Sequence, residues 1–95
     1  MKISLIAQND FLEIVGYLDI LPPEEAVRGY DNIIKETKVL ATAPESCSFA
    51  RDSLLRLRGY RMLIVDNYMF FFVIIGSTVE IRRIIYARKQ YDRLI

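Results

Sequence analysis

The stretch LRGYRMLIVDNYMFFFVI, Leu57 to Ile74, decides the fold. An arginine-bearing, glycine-broken approach runs into Asp66-Asn67 and then into eight consecutive apolar residues, Tyr68 to Ile75. A bilayer span needs about twenty apolar residues, so this run belongs inside a small globular domain. Its lack of alternation means that both faces of the strand are covered. Asp66-Asn67 and Gly76-Ser77 are two-residue turn signals on either side of it. Tyr60 to Val65, Tyr68 to Ile75 and Thr78 to Tyr86 therefore form an antiparallel meander with the apolar strand at its centre. Leu54 to Arg58, LLRLR, also reads as strand-like up to the break at Gly59.

Working outward toward the N-terminus, Ile3 to Ala7 reads as a short first strand. Asn9-Asp10 offers a helix N-cap, and Phe11, Ile14, Val15 and Leu18 follow at helical spacing. Pro22-Pro23 ends that helix and starts another, with Glu24 and Glu25 where the helix dipole favours negative charge. Ala26, Tyr30, Ile33, Ile34, Thr37 and Ala41 trace the seam of this second helix, which Pro44 closes. Two helices joined by so short a link lie antiparallel, an αα-hairpin. The expected fold is α+β, in the order β-αα-βββ. An antiparallel sheet carries the hairpin packed on one face, in a single domain over residues 1–95. Ala87 to Ile95 leaves the sheet as a short helix or an extended tail.

The composition narrows the chemistry. The apolar share of 53% suits a packed core and excludes disorder as the default. There is no histidine and only one cysteine, Cys47. That removes the commonest general base and metal ligand, and with them any Ser-His or Cys-His dyad or zinc site. No glycine-rich phosphate loop can be written either, so neither metal nor cofactor is expected. A lone cysteine and no leader pattern point to a reducing, cytoplasmic home. The net charge of +1 hides an asymmetry. Residues 1–50 carry four basic and eight acidic side chains, whereas residues 51–95 carry nine basic and four acidic ones. A basic half suits a polyanionic or acidic partner, and a lopsided but merely solvated surface is the bland alternative. Arginine interleaved with tyrosine also suits phosphate and bases, through guanidinium forks and ring stacking. Arg58, Tyr60, Arg61, Arg83, Arg88, Lys89 and Tyr91 are the candidate target-binding residues. Arg83 shares the phase of Val79, Ile81 and Ile85. It must therefore sit at the rim, pair with a carboxylate such as Glu45 or Asp66, or follow a bulge that resets the phase.

The hairpin, Gly59-Tyr60-Arg61, the NYMFFFVI of Asn67 to Ile74, and the VEIRRIIYARKQY of Val79 to Tyr91 together resemble the RelE/ParE superfamily of bacterial toxins. The resemblance runs over nearly the whole chain. It implies the toxin of a type II toxin–antitoxin, plasmid-stabilising module, a growth inhibitor held in a hetero-oligomer by a cognate antitoxin. RelE-like members cleave mRNA on the ribosome, and their pattern places an arginine where Met69 stands here. Arg61, Arg88, Lys89 and Tyr91 are the catalytic candidates if this chain is such an endoribonuclease. ParE-like members, which the resemblance describes as acting on DNA gyrase without a nuclease centre, carry an apolar residue at the Met69 position. The ParE-like branch is the nearer one, and a non-toxic, degenerate binding module stays as a further alternative.

Overall fold

The computed structural model describes residues 1–86. Its order is β1 (Lys2–Ile3), α1 (Leu5–Asp19), α2 (Pro23–Thr37), the short α3 (Val39–Thr42), a 3-10 turn (Pro44–Ser46), α4 (Ser53–Leu57), β2 (Arg61–Val65), β3 (Tyr68–Ile75) and β4 (Thr78–Tyr86). The meander is as expected, with β3 antiparallel to both β2 and β4. The sheet order is β1-β4-β3-β2. β1 pairs with β4 in parallel, so the four-stranded sheet is mixed rather than wholly antiparallel.

The first strand is shorter than the sequence suggests. Ser4 caps α1, its hydroxyl accepting from the Ala7 amide at 3.1 Å. Helix therefore starts at Leu5, and Asn9-Asp10 lies inside it rather than at its N-cap. The buried stripe of α1 is Ala7, Ile14 and Leu18, with Phe11 packed beside it. α2 begins at Pro23 with Glu24 and Glu25 in its first turn. It ends at Thr37, whose hydroxyl donates back to the Ile33 carbonyl at 2.6 Å, a bond that tends to bend or end a helix. Ile33 is buried, whereas Ile34, expected in the seam, is 60% exposed. The two long helices touch closely at Gly29, where a Cβ would come within 2.8 Å of Leu18 Cδ2.

LLRLR is not a strand. Asp52 accepts from the Leu55 amide at 3.0 Å and opens α4, and Gly59 closes it in the left-handed region at φ 83°. The Tyr60 amide reaches the Leu55 carbonyl and the Gly59 amide the Arg56 carbonyl, the paired bonds of a Schellman cap. The chain can thus turn straight into β2.

Two cores result. Phe70 and Phe72 join Ile14, Leu18, Ile33, Val79, Ile81 and Ile84 under the helical hairpin. On the opposite face Met69, Phe71 and Val73 pack with Met62, Ile85 and Tyr60 beneath Ala50 and Leu55. The unbroken apolar run has its cause here, since Phe71 and Phe72 point to opposite faces and both have 0% exposure. No helix among the described residues is long and apolar enough to cross a membrane.

Candidate functional site

The candidate basic residues fall into separate places. Arg61 is held against the loop that precedes α4. Its Nη1 donates to the Glu45 and Cys47 carbonyls at 3.1 and 2.8 Å. The guanidinium carbon lies 3.9 Å from the centroid of the Phe49 ring, a cation–π distance. Phe49 itself bridges to Arg61 as an antiparallel partner, so the clamp closes the open side of β2. Burial raises the Cys47 thiol pKa, with the Arg61 charge only partly opposing it. That favours the inert thiol over a thiolate nucleophile.

Arg83 is held elsewhere. Phe71 pairs with Arg83 and Phe72 with Ile81, which leaves Arg82 as the extra residue of a β-bulge. After the bulge Ile84, not Ile85, shares the helix-facing side with Ile81. Of the options that strand phase leaves open for Arg83, the bulge and the carboxylate pair both occur. The carboxylate, however, is Asp10 on α1, not Glu45 or Asp66. Arg83 Nε and Nη2 donate to Asp10 Oδ2 and Oδ1 at 2.8 and 3.1 Å, a bidentate fork. Asp10 Oδ2 also accepts the Ile84 amide at 3.0 Å. This is where β1 has run out, so the carboxylate takes the place of a neighbouring strand. The hydrogen bonds that Arg83 donates to Asp10 raise its pKa, outweighing partial burial.

Arg58 and Tyr60 line a shallow concavity of about 380 Å³ with Val73 to Ile75 and Arg82. Arg82 Nε lies 2.8 Å from Glu80 Oε1. Burial works against its charge, but the Tyr60 hydroxyl and Glu80 outweigh it and raise its pKa. Arg82, one of the arginines of the sheet half but not among the candidate target-binding residues, is brought to Arg58 and Tyr60 by its place in the bulge. Arg51, Arg56 and Arg58 are all exposed along the segment covering this face. Arg88, Lys89 and Tyr91 lie outside the described residues.

A larger cleft, about 1200 Å³, opens on the other side between α1, α2, the β2–β3 turn and the end of β4. Its apolar lining includes Ile14, Leu18 and Ile84, and three tyrosines, Tyr17, Tyr68 and Tyr86, ring it. The Tyr68 and Tyr86 rings meet edge to face at 5.8 Å. Burial, followed by the neighbouring Tyr17, Tyr86 and Asp66, raises the Tyr68 pKa. Asn32 on α2 donates to the Asp66 carboxylate across the mouth of this cleft.

No family model matches the chain, and no curated protein matches it. Solved structures do share its fold. A chain of the chromosomal ParDE TA system from P. aeruginosa superposes with a TM-score of 0.69 at 21% identity, covering 92% of this chain and 94% of that one. A chain of the RelB-RelE antitoxin-toxin complex from Methanococcus jannaschii gives 0.56 at 16% identity, with both chains covered in full. The chain therefore has a RelE/ParE-type fold, with the ParDE structure the better match of these two.

Proposed function

We propose that this protein is the toxin of a type II toxin–antitoxin module, neutralised by direct binding of a cognate antitoxin and acting on DNA gyrase in the ParE-like manner. The observation that carries the reading is the likeness of fold over almost the whole chain to the ParDE structure. The choice of branch is supported by Met69. Where the RelE-like pattern has an arginine, this side chain is 7% exposed and packed in the second core. It can neither reach a phosphate nor stabilise charge on one. Arg61 and Arg83, two of the candidate basic residues, spend their guanidinium groups on carbonyls and on Asp10.

A gyrase inhibitor needs a contact surface rather than a reacting centre. Arg58 and Arg82, beside the buried Tyr60, with Arg88, Lys89 and Tyr91 beyond them in sequence, supply cations and a ring for it. Tests of both levels use induced expression in bacteria, with and without co-expression of any small reading frame found beside the gene. Growth arrest that the partner relieves is expected, and normal growth with abundant folded protein would overturn the toxin reading. Purified protein should block gyrase supercoiling and leave translated mRNA intact. Ribosome-dependent mRNA cleavage, lost in Tyr91→Phe, would replace the gyrase reading with the RelE-like one, because a positioned acid or base contributes about 10² to 10⁴ in rate.

A further inference from the structure

We infer that the cleft between the helical hairpin and the end of β4 receives α4 of a second copy of this chain, so that free copies associate head to tail. The inference concerns contact between copies and stands apart from toxicity.

The two surfaces are opposite in charge and alike in apolar content. In the cleft, Ile6 and Tyr17 on α1 stand exposed above the buried Ile14 and Leu18. Asp10 and Arg83 there satisfy one another. The rest of the charged lining is Glu13, Glu25 and Asp66 against Arg28, an excess of negative charge. On the far side of the sheet the α4 segment presents the reverse. Arg51, Arg56 and Arg58 are exposed, and no ion pair among the described residues engages them. Asp52, the acidic residue in their midst, is spent on the Leu55 amide as a helix cap. Leu54 and Leu57 are 54% and 84% exposed between these arginines. A spacing of three residues sets the two leucines on neighbouring positions of the helix surface.

The sizes agree. Five residues of helix are about 8 Å long. A cleft of about 1200 Å³ exceeds the roughly 300–1,000 Å³ that holds a whole small molecule, so one helical turn with two leucines can enter it. Leu54 and Leu57 would then leave water against Ile6 and Tyr17, while the arginines meet Glu13 and Glu25. Like-with-like contact is opposed by charge, since two clefts repel each other and so do two α4 segments. The cleft opens over the first core and α4 covers the second, on opposite sides of the sheet. The contact is therefore heterologous and adds copies in a row rather than closing as a two-fold dimer.

The test is sedimentation equilibrium of the purified full chain. A contact of this size belongs to the weak class that buries less than about 1,200 Å², so the range runs from micromolar to millimolar protein. The weight-average mass should rise with concentration to more than twice that of one chain. It should fall back toward one chain in salt near 1 M, where the Debye length is about 3 Å. Two double variants at exposed positions separate the halves of the contact. Glu13→Lys with Glu25→Gln spoils the cleft, and Arg56→Ser with Leu57→Ser spoils α4. Each should keep the parent melting temperature and stay a single chain at every concentration. Mixed in equal amounts, they should form a one-to-one pair and nothing larger, because one intact cleft and one intact α4 remain between them. A parent that stays a single chain throughout would overturn the inference, and would leave the cleft to a different protein. Association that stops at a dimer, survives in either variant alone, or ignores salt would overturn it as well, as would a mixture of the two variants that fails to pair.

Discussion

Asparagine in place of Asp10 keeps the shape of the side chain and one acceptor for the Ile84 amide, but removes the charge that Arg83 grips. Hydrogen bonds to charged groups are worth about 1.5–3 kcal/mol each, and breaking a buried ion pair costs about 3–5 kcal/mol. The two side chains are 20% and 11% exposed, so some screening by water applies. A loss of about 2–3 kcal/mol is expected for Asp10→Asn. For a domain of this length about 1 kcal/mol moves the melting temperature by roughly 4–8 °C, so the drop should be about 10–20 °C. Asp10→Ala should cost more, because the Ile84 amide then loses its acceptor as well. In urea titrations the midpoint should fall with the slope unchanged, as the same surface is exposed on unfolding. Combining Asp10→Asn with Arg83→Met should cost less than the two single changes added together, by at least about 1 kcal/mol. If Asp10→Asn stays within about 0.5 kcal/mol of the parent, the range of ordinary surface changes, the carboxylate is not holding β4 as described.

Gly59→Ala should destabilise by about 1–2 kcal/mol, the cost of a side chain in the left-handed region, because nothing lies within 4 Å of the added methyl and only the φ of 83° opposes it; Gly59→Asn, scored by the same melts, should cost less. Met69→Leu should cost under about 1.5 kcal/mol and leave growth arrest intact, whereas loss of toxicity in a folded Met69→Leu protein would point back to a role for that position in chemistry. Phe72→Ala should cost about 3–5 kcal/mol by thermal melt. Alkaline titration should show stability held below pH 9 and falling as pH rises past it. The folded state raises the Cys47 thiol above 9.0 and the Tyr68 phenol above 10.0, so it binds protons that the unfolded chain has released. Tyr68→Phe should flatten the upper part of that decline.

The central strand was legible because its evidence is local: eight apolar residues between two turn signals admit few other readings. The short elements were not. Five residues of LLRLR satisfy a period of two and of 3.6 equally well, and the Schellman cap at Gly59 that makes them helical is settled by backbone geometry. Asp10 looked like a cap because aspartate near a helix start usually is one. Its real partners, Arg83 and the Ile84 amide, lie more than seventy residues away, and no local pattern points to them. Separation of the basic residues was equally hidden. Arg58, Tyr60, Arg61 and Arg83 form one basic group along the sequence. In space a bulge, a cation–π clamp and an ion pair divide them, and Arg82 joins Arg58 and Tyr60 instead.

The parallel pairing of β1 with β4 bears on how the chain is made. Lys2 and Ile3 emerge before the other strands of the sheet, yet their ladder partners are Glu80 and Ile81, and the Ser4 hydroxyl donates to the Arg82 carbonyl at a separation of 78 residues. The helical hairpin is synthesised long before Phe70, Phe72 and Ile84 exist to cover it. A ribosome that stops partway through the message therefore releases a hairpin without its sheet, with α1 and α2 displaying their apolar stripes to chaperones and proteases. Neither Asp10 nor Ser4 can close its long-range bonds until β4 has appeared. The protein thus acquires its native surface only once β4 has emerged, and products truncated before β4 should be cleared rather than accumulate.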